Sequence, residues 1–252
     1  MSFQFTTWTA PFSGACVEPY GPLKEIRPKS GDVVLIRCEA QLPDEIEPKL
    51  TELVRECRRC FPGSPAVVWI PSGEPDRVIS LVRAASSAQV RAIMGGDTVR
   101  PEQLRAQLTS PEGISPFVLR WAADAGYLPA GPHPEELNTL LEAAPNVRTL
   151  ERLARERQVA ARTWRAKLQQ MGLPTPRAWL GLAHALHVAF YVQRNSTQSL
   201  QILADKLGIP KVSIMSQQFR RVFGISPGQV RDLLGAEPLL QRWFESQQRS
   251  AG

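Results

Sequence analysis

The stretch Ser199-Leu-Gln-Ile-Leu-Ala-Asp-Lys-Leu-Gly-Ile209, continued by Pro-Lys-Val-Ser-Ile-Met215-Ser-Gln-Gln-Phe219 and by Gly224-Ile-Ser-Pro227, decides how the chain is read. Leu200, Leu203, Ala204 and Leu207 fall at i, i+3, i+4 and i+7, one face of a short helix. Thr197 or Ser199 can cap its start. Gly208 predicts its end, because glycine accepts the left-handed conformation of a helix C-terminus. Ile209 plugs the turn, and a second helix follows with Met215, Phe219 and Val222 inward. Lys211, Ser213, Gln217, Arg220 and Arg221 lie between those positions. Their side chains can bond to phosphates and base edges. An apolar inner face with a donor-rich outer face is what a helix in the major groove requires.

The same pattern stands fifty residues earlier. Thr149-Leu-Glu-Arg-Leu-Ala-Arg-Glu-Arg-Gln-Val159 precedes Ala-Ala-Arg-Thr-Trp164-Arg-Ala-Lys-Leu168 and Gly172-Leu-Pro-Thr-Pro176. Leu150, Leu153, Ala154 and Val159 recur as Leu200, Leu203, Ala204 and Ile209. Each copy is one supersecondary unit, helix, tight turn, helix. Between the copies, Trp179, Leu182, Ala183, Leu186 and Phe190 keep helical spacing over residues 177–193. A helix of that length spans ~27 Å and would hold the two units apart as a fixed spacer. His184 and His187 sit on it at i, i+3, and the chain has only His133 besides. They lack the partners of a metal site and read as solvent-facing or core side chains.

The run 208–227 resembles the second helix-turn-helix of the AraC-type transcription regulators, and the first copy resembles that family's first. Residues 177–192 are similar to its linker helix, so the resemblance covers about 146–236. It implies an all-α C-terminal domain of two helix-turn-helix units joined by a linker helix, in a bacterial, cytoplasmic regulator. Double-stranded DNA would be the partner, with RNA polymerase and a second copy of the chain as further candidates. Carried onto this chain, it turns Arg162, Thr163, Arg165 and Ala166 toward DNA. Ser213 and Gln217 become the base readers, and Lys167, Lys211, Arg220 and Arg221 the phosphate contacts. Two positions depart from the family pattern. Pro210 replaces a small capping residue, though proline suits a first helical turn. Gln217 replaces an arginine, so base preference there is this chain's own.

Charge separates the chain into two parts. Residues 1–145 hold 14 Lys/Arg against 18 Asp/Glu, a net of −4. Residues 146–252 hold 16 against 6, a net of +10. The basic excess is confined to the half with the repeat, which points to a polyanion for that half. The longest apolar runs fall far below a membrane span, and no basic region precedes an apolar stretch at the N-terminus, so neither membrane anchor nor signal peptide is expected.

The first half reads as α/β. Residues 3–8 alternate as a strand, 32–37 and 66–70 are continuous apolar runs, and 89–94 predicts a further strand. Helical patterns occupy 43–60, 74–85 and 101–108. Strands alternating with helices imply a small parallel sheet. The order resembles the later part of a response-regulator receiver domain over roughly 30–110. Arg37 stands where such a domain has its acceptor aspartate, Gly95-Gly96 where it has a lysine, and its acidic Mg²⁺ pair is missing. The resemblance therefore implies a receiver-like domain for signal input or dimerisation that is not phosphorylated. The expected division is 1–112 receiver-like, 113–145 a helical connector with short helices at 116–125 and 134–143, and 146–252 the DNA-binding domain. The tail 236–252 predicts a last helix followed by a disordered polar end.

Enzymatic chemistry finds no support. There is no phosphate-binding glycine loop, nucleophile elbow or HExxH. The acid pairs Asp44-Glu45 and Glu135-Glu136 read as helix-start charges. Of Cys16, Cys38, Cys57 and Cys60, only Cys57 and Cys60 have metal-like spacing, inside a helical pattern and without a second pair. They read as incidental thiols, with flanking arginines able to activate one as a redox sensor. No cofactor is expected. The reading is a sequence-specific DNA-binding regulator. Its alternative is a protein-interaction adaptor whose helix-turn-helix domain no longer binds DNA.

Overall fold

The fold is taken from a computed structural model, which describes residues 4–8, 29, 31–38, 46–144, 146–147 and 149–251. Cys16, Asp44, Glu45 and the start of the helix expected from 43 lie outside them.

The first half is built on a four-stranded sheet. Strands β1 (Gln4–Trp8), β2 (Val33–Arg37), β3 (Ala66–Ile70) and β4 (Ala92–Gly95) lie in that spatial order. β2, β3 and β4 are parallel, with Leu35 opposite Val67 and Val67 opposite Ala92. Parallel neighbours need a crossover. Helix α1 (Ile46–Cys60) supplies the first and α2 (Pro75–Ser87) the second. β1 instead pairs antiparallel with β2, Phe5 opposite Ile36, so the sheet is mixed and not purely parallel as expected. No helical pattern lies between β1 and β2 in the sequence, and without a crossover helix nothing forces parallel pairing.

β3, and β2 up to Ile36, are apolar because both faces of the sheet are covered. On one face Val34, Ile36, Val68 and Ile70 meet Leu50 and Val54 of α1 and Leu81 and Ala85 of α2. On the other, Val33, Leu35, Val67 and Met94 meet Leu104 and Leu108 of α3 (Pro101–Leu108) and, from far down the chain, Leu234. β4 starts at Ala92, later than the expected 89. Gln89 has φ 51°, and Val90 N donates to Ala85 O at 3.3 Å, so residues 88–90 are spent closing α2.

The remainder is helical: α4 (Ile114–Asp124), α5 (Glu135–Glu142), α6 (Leu150–Glu156), α7 (Ala161–Gln170), α8 (Pro176–Arg194), α9 (Leu200–Lys206), α10 (Val212–Phe223), α11 (Pro227–Asp232) and α12 (Glu237–Ala251). Among the described residues no helix is long and apolar enough to cross a membrane. The 19 residues of α8 span about 28 Å. α8 is the hub, packed by α5, α6, α7, α9, α10 and α11. The segment expected as a connector contributes Phe117, Trp121, Leu137 and Leu141 to the same apolar cluster as Trp179, Leu186, Phe219 and Phe244. Trp179 of α8 meets Trp243 of α12 edge to face at 4.8 Å, and Phe244 stacks on Tyr127 at 4.8 Å. α12 continues to Ala251 where a disordered end was expected. Gln241 Nε2 bonds to Glu245 Oε1 one turn on, and Ser246 Oγ donates to Trp243 O.

Arginines join the two halves. Arg58 of α1 is buried and donates to Asp124 of α4 at 2.8 Å and to Gln89 O at 2.5 Å. Arg91 donates to Ser110 O and lies over the rings of Phe117 and Phe190. Trp121 Nε1 donates to Pro62 O, and Arg105 to Gln193 O. The loop between α11 and α12 presses against the sheet half. A Cβ at Gly235, φ +84°, would stand 3.1 Å from Pro65 Cγ and 2.7 Å from Glu237 Oε2. Glu237 is buried beside Arg91 and Arg58, and its Oε2 has no hydrogen-bond partner among the described residues. Burial pushes its carboxyl above the usual range, although both guanidinium groups pull it down.

Candidate nucleic-acid interface

The two helix-turn-helix units, α6–α7 and α9–α10, share their caps and their turns. Thr149 Oγ1 accepts from Arg152 N, and Ser199 Oγ accepts from Ile202 N, both at 3.3 Å. Val159 N donates to Ala154 O at 3.0 Å, and Ile209 N to Ala204 O at 2.8 Å. The six-residue return that these bonds close needs one left-handed residue. Gly208 fills that place in the second unit, φ +65°, and Gln158 in the first, φ +55°. The fifty-residue offset therefore holds for backbone hydrogen bonds as well as for apolar residues.

Trp164 and Leu168 of α7, and Met215, Phe219 and Val222 of α10, face inward. The residues expected to meet DNA all lie on the surface: Arg162, Thr163, Arg165, Ala166 and Lys167 on α7, Ser213, Gln217, Arg220 and Arg221 on α10, and Lys211 at its N-cap. Their partners differ. Lys167 Nζ donates to Glu136 of α5 at 2.7 Å. Burial pushes the Glu136 carboxyl up, but the Lys167 hydrogen bond, a backbone hydrogen bond and the Lys167 charge together leave it below its usual range. Glu136 is thus more than a helix-start charge, and Lys167 is turned toward α5. Arg165 pairs with Glu151 at 3.5 Å across the exposed surface, an ion pair of little energy.

Of the expected residues, Arg165 and Arg221 are brought together. They line opposite walls of a cleft of about 550 Å³ between the two units. The α10 wall is Ile214, Gln218 and Arg221, one helical stripe beside the stripe of Ser213, Gln217 and Arg220. The floor is α8, through Arg177, Leu180, Gly181, His184, His187 and Val188. Sequence reasoning assigned none of these floor residues to the site. Arg177, Gly181 and His184 lie at i, i+4 and i+7, a polar stripe legible beside the apolar one. The left-handed glycine after α9 and the small Gly181 on α8 leave the cleft open. His184 Nε2 donates to Val147 O at 2.5 Å, which fixes its proton on that nitrogen. Burial, and then the charge of His184, lower the His187 imidazole below its usual value.

No protein family, curated protein or solved structure matches the chain.

Elsewhere the chemistry is quieter. At the carboxyl ends of the parallel strands, where open α/β sheets commonly bind ligands, the Arg37 guanidinium covers the Trp69 ring at 4.9 Å. Trp69 Nε1 donates to Gly96 O at 2.7 Å. Cys57 is buried, and burial pushes its thiol up to about 12, the reverse of the arginine activation considered from the sequence. Among the described residues no group of three His, Cys, Asp or Glu is placed to hold a metal ion.

Proposed function

We propose that this chain is a sequence-specific, double-stranded DNA-binding transcription regulator of the AraC type, cytoplasmic and bacterial. Its first half is a receiver-like domain for signal input or dimerisation that takes no phosphoryl group. The observation that carries the reading is the repeated unit. Two turns with the same hydrogen bonds present two helices, α7 and α10, whose outer faces hold only polar, basic or small side chains apart from Ile214. The net of +10 in this half supplies the attraction to phosphate. α8, about 28 Å long, carries both units and is itself shorter than the ~34 Å turn of straight duplex. A bend costing of order 1–6 kcal/mol, or unequal approach angles, would let one protomer cover about 20 base pairs.

In this reading Gln217 reads bases and Arg221 anchors phosphate. Binding titrations on a selected site and on scrambled duplex test it. Gln217→Ala should change preference in one half-site by ~1–3 kcal/mol for each bidentate hydrogen-bond pair removed. Arg221→Ala should weaken all sequences alike and lower the salt slope by about one. Reversed behaviour would exchange the two roles. A second reading, a protein-interaction adaptor, is favoured by the ties of Lys167 to Glu136 and Arg165 to Glu151, which spend charge on the first unit internally. It prevails if the full chain retains no DNA at low salt.

A further inference from the structure

Resting on the DNA-binding reading, we infer that the cleft between the two units seats the phosphate strand between two major-groove segments, and that His184 and His187 in its floor take up protons as that strand enters. The cleft gathers cations from three elements: Arg165 of α7, Arg177 of α8 and Arg221 of α10. The residues it takes from α9 and the following turn, Leu207–Pro210, carry no charge. Its one acid is Glu151 of α6, held by Arg165. Arg177 and Arg221 form no ion pair among the described residues. On its other side His187 faces a second hollow, where Glu142 of α5 is the charged neighbour.

An imidazolium at His187 loses water and meets the charge of His184, and three guanidinium groups line the same cleft. Burial already lowers His187 in the free protein. A phosphodiester strand in the cleft reverses the balance. It neutralises the arginines and offers each imidazolium an acceptor, so protonation and DNA binding favour one another. Affinity then rises as pH falls through the histidine range, and the salt slope steepens because more phosphates are neutralised. The i, i+3 histidines therefore work as a pair on the floor of the cleft. Ile214 on the adjacent wall offers an apolar surface of the kind a thymine methyl takes.

The test is fluorescence-anisotropy titration of the full chain with a labelled 24-base-pair duplex of mixed sequence, at pH 8.0 and pH 5.5 and several salt concentrations. For the wild type, Kd should fall about five- to tenfold from pH 8.0 to 5.5, as a one-unit rise in one histidine pKa on binding requires. The salt slope should steepen by about one to two. Each variant is read as its own ratio of Kd values at the two pH values, so changes in absolute affinity cancel. His187→Gln should halve the logarithm of that ratio or more, and the double variant H184Q/H187Q should bring the ratio close to one. Arg177→Ala, on the exposed first turn of α8, should lower the salt slope by about one at both pH values. A wild-type ratio near one, or an unchanged ratio in the double variant, overturns the proton linkage while leaving DNA binding intact. An unchanged slope in Arg177→Ala removes the strand from the cleft. Absence of binding at every pH and salt overturns the DNA-binding reading itself.

Discussion

Asp124 is the place to test how the two halves are held. Its carboxylate is 8% exposed and has three arginine neighbours: Arg58 at 2.8 Å, Arg120 at 3.4 Å and Arg55 at 3.5 Å. Arg58 bonds to this carboxylate and to the Gln89 carbonyl, lies over the Phe117 ring, and has the buried Glu237 as a second acidic neighbour without an ion-pair contact; its side chain is 5% exposed. Burial lowers the Arg58 guanidinium below its usual value while Asp124 holds it up. Asp124→Ala leaves that cation buried without its counter-charge, which should cost ~3–5 kcal/mol. Arg58→Met should cost less, about 1–3 kcal/mol, because Arg55 and Arg120 still reach Asp124 from the solvent side. Arg55 is 54% exposed, and Arg55→Ala should cost under ~1 kcal/mol. An R58M/D124L variant, with both charges gone, should return to within about 1–2 kcal/mol of wild type. Urea unfolding followed by tryptophan fluorescence and circular dichroism reads all four, and coincident transitions license the comparison. An Asp124→Ala cost below about 1 kcal/mol would refute the reasoning and mean that α1 and α4 part in solution, and a larger loss in Arg58→Met would refute the assignment of the cost to the unpaired cation.

Three further outcomes are expected. A fragment beginning near residue 113 should unfold cooperatively, whereas one beginning near 146 lacks Phe117, Trp121, Leu137 and Leu141 and should bind a hydrophobic dye and melt broadly; equal cooperativity would restore α4 and α5 to a mere connector. Gly208→Ala should destabilise by ~1–2 kcal/mol through backbone strain, since a Cβ there meets nothing within 4 Å, and Gln158→Gly should stabilise by up to about 1 kcal/mol; thermal melts with both signs reversed would contradict the turn geometry. For Glu237, the folded carboxyl binds its proton above the ordinary value of 4.5, so the folded state holds more protons than the unfolded one in that window. Wild-type stability should therefore fall as pH rises above 4.5, and Glu237→Gln should lose that dependence between pH 5 and 8; a pH profile shared by both proteins would show that the carboxyl titrates in its ordinary range.

The repeat was legible because its signal is local. Leu200, Leu203, Ala204 and Gly208 specify a helix, a face and a stop within nine residues. The first unit was less legible at its turn, where Gln158 takes the left-handed place without the glycine that announces it. α4 and α5 were legible as helices and not as core. Periodicity shows that Trp121 and Leu137 face something apolar and is silent on whether that partner lies in the first half or the second. β1 alternates as a strand, and alternation is the same whichever way its neighbour runs, so the antiparallel pairing was hidden. The ten residues of α7, α10 and its N-cap were named from spacing together with the family resemblance, and all ten lie on the surface. The cleft could not, because Arg177, His184 and His187 become its floor only when α7 and α10 stand as walls on either side of α8.

Leu234 has a consequence in time. The sheet face formed by Val33, Leu35, Val67 and Met94 is complete in sequence once β4 is made, yet one of the side chains that covers it comes some 140 residues later. At synthesis rates of ~5–20 residues per second, that is an interval of roughly 7–28 s. During it the newborn first half has α3 on that face but lacks Leu234, and so carries a partly uncovered apolar surface, the kind that chaperones hold. The order of synthesis thus opposes the order of burial. Premature termination before residue 234 would leave part of that face open although none of the first half's own residues had changed.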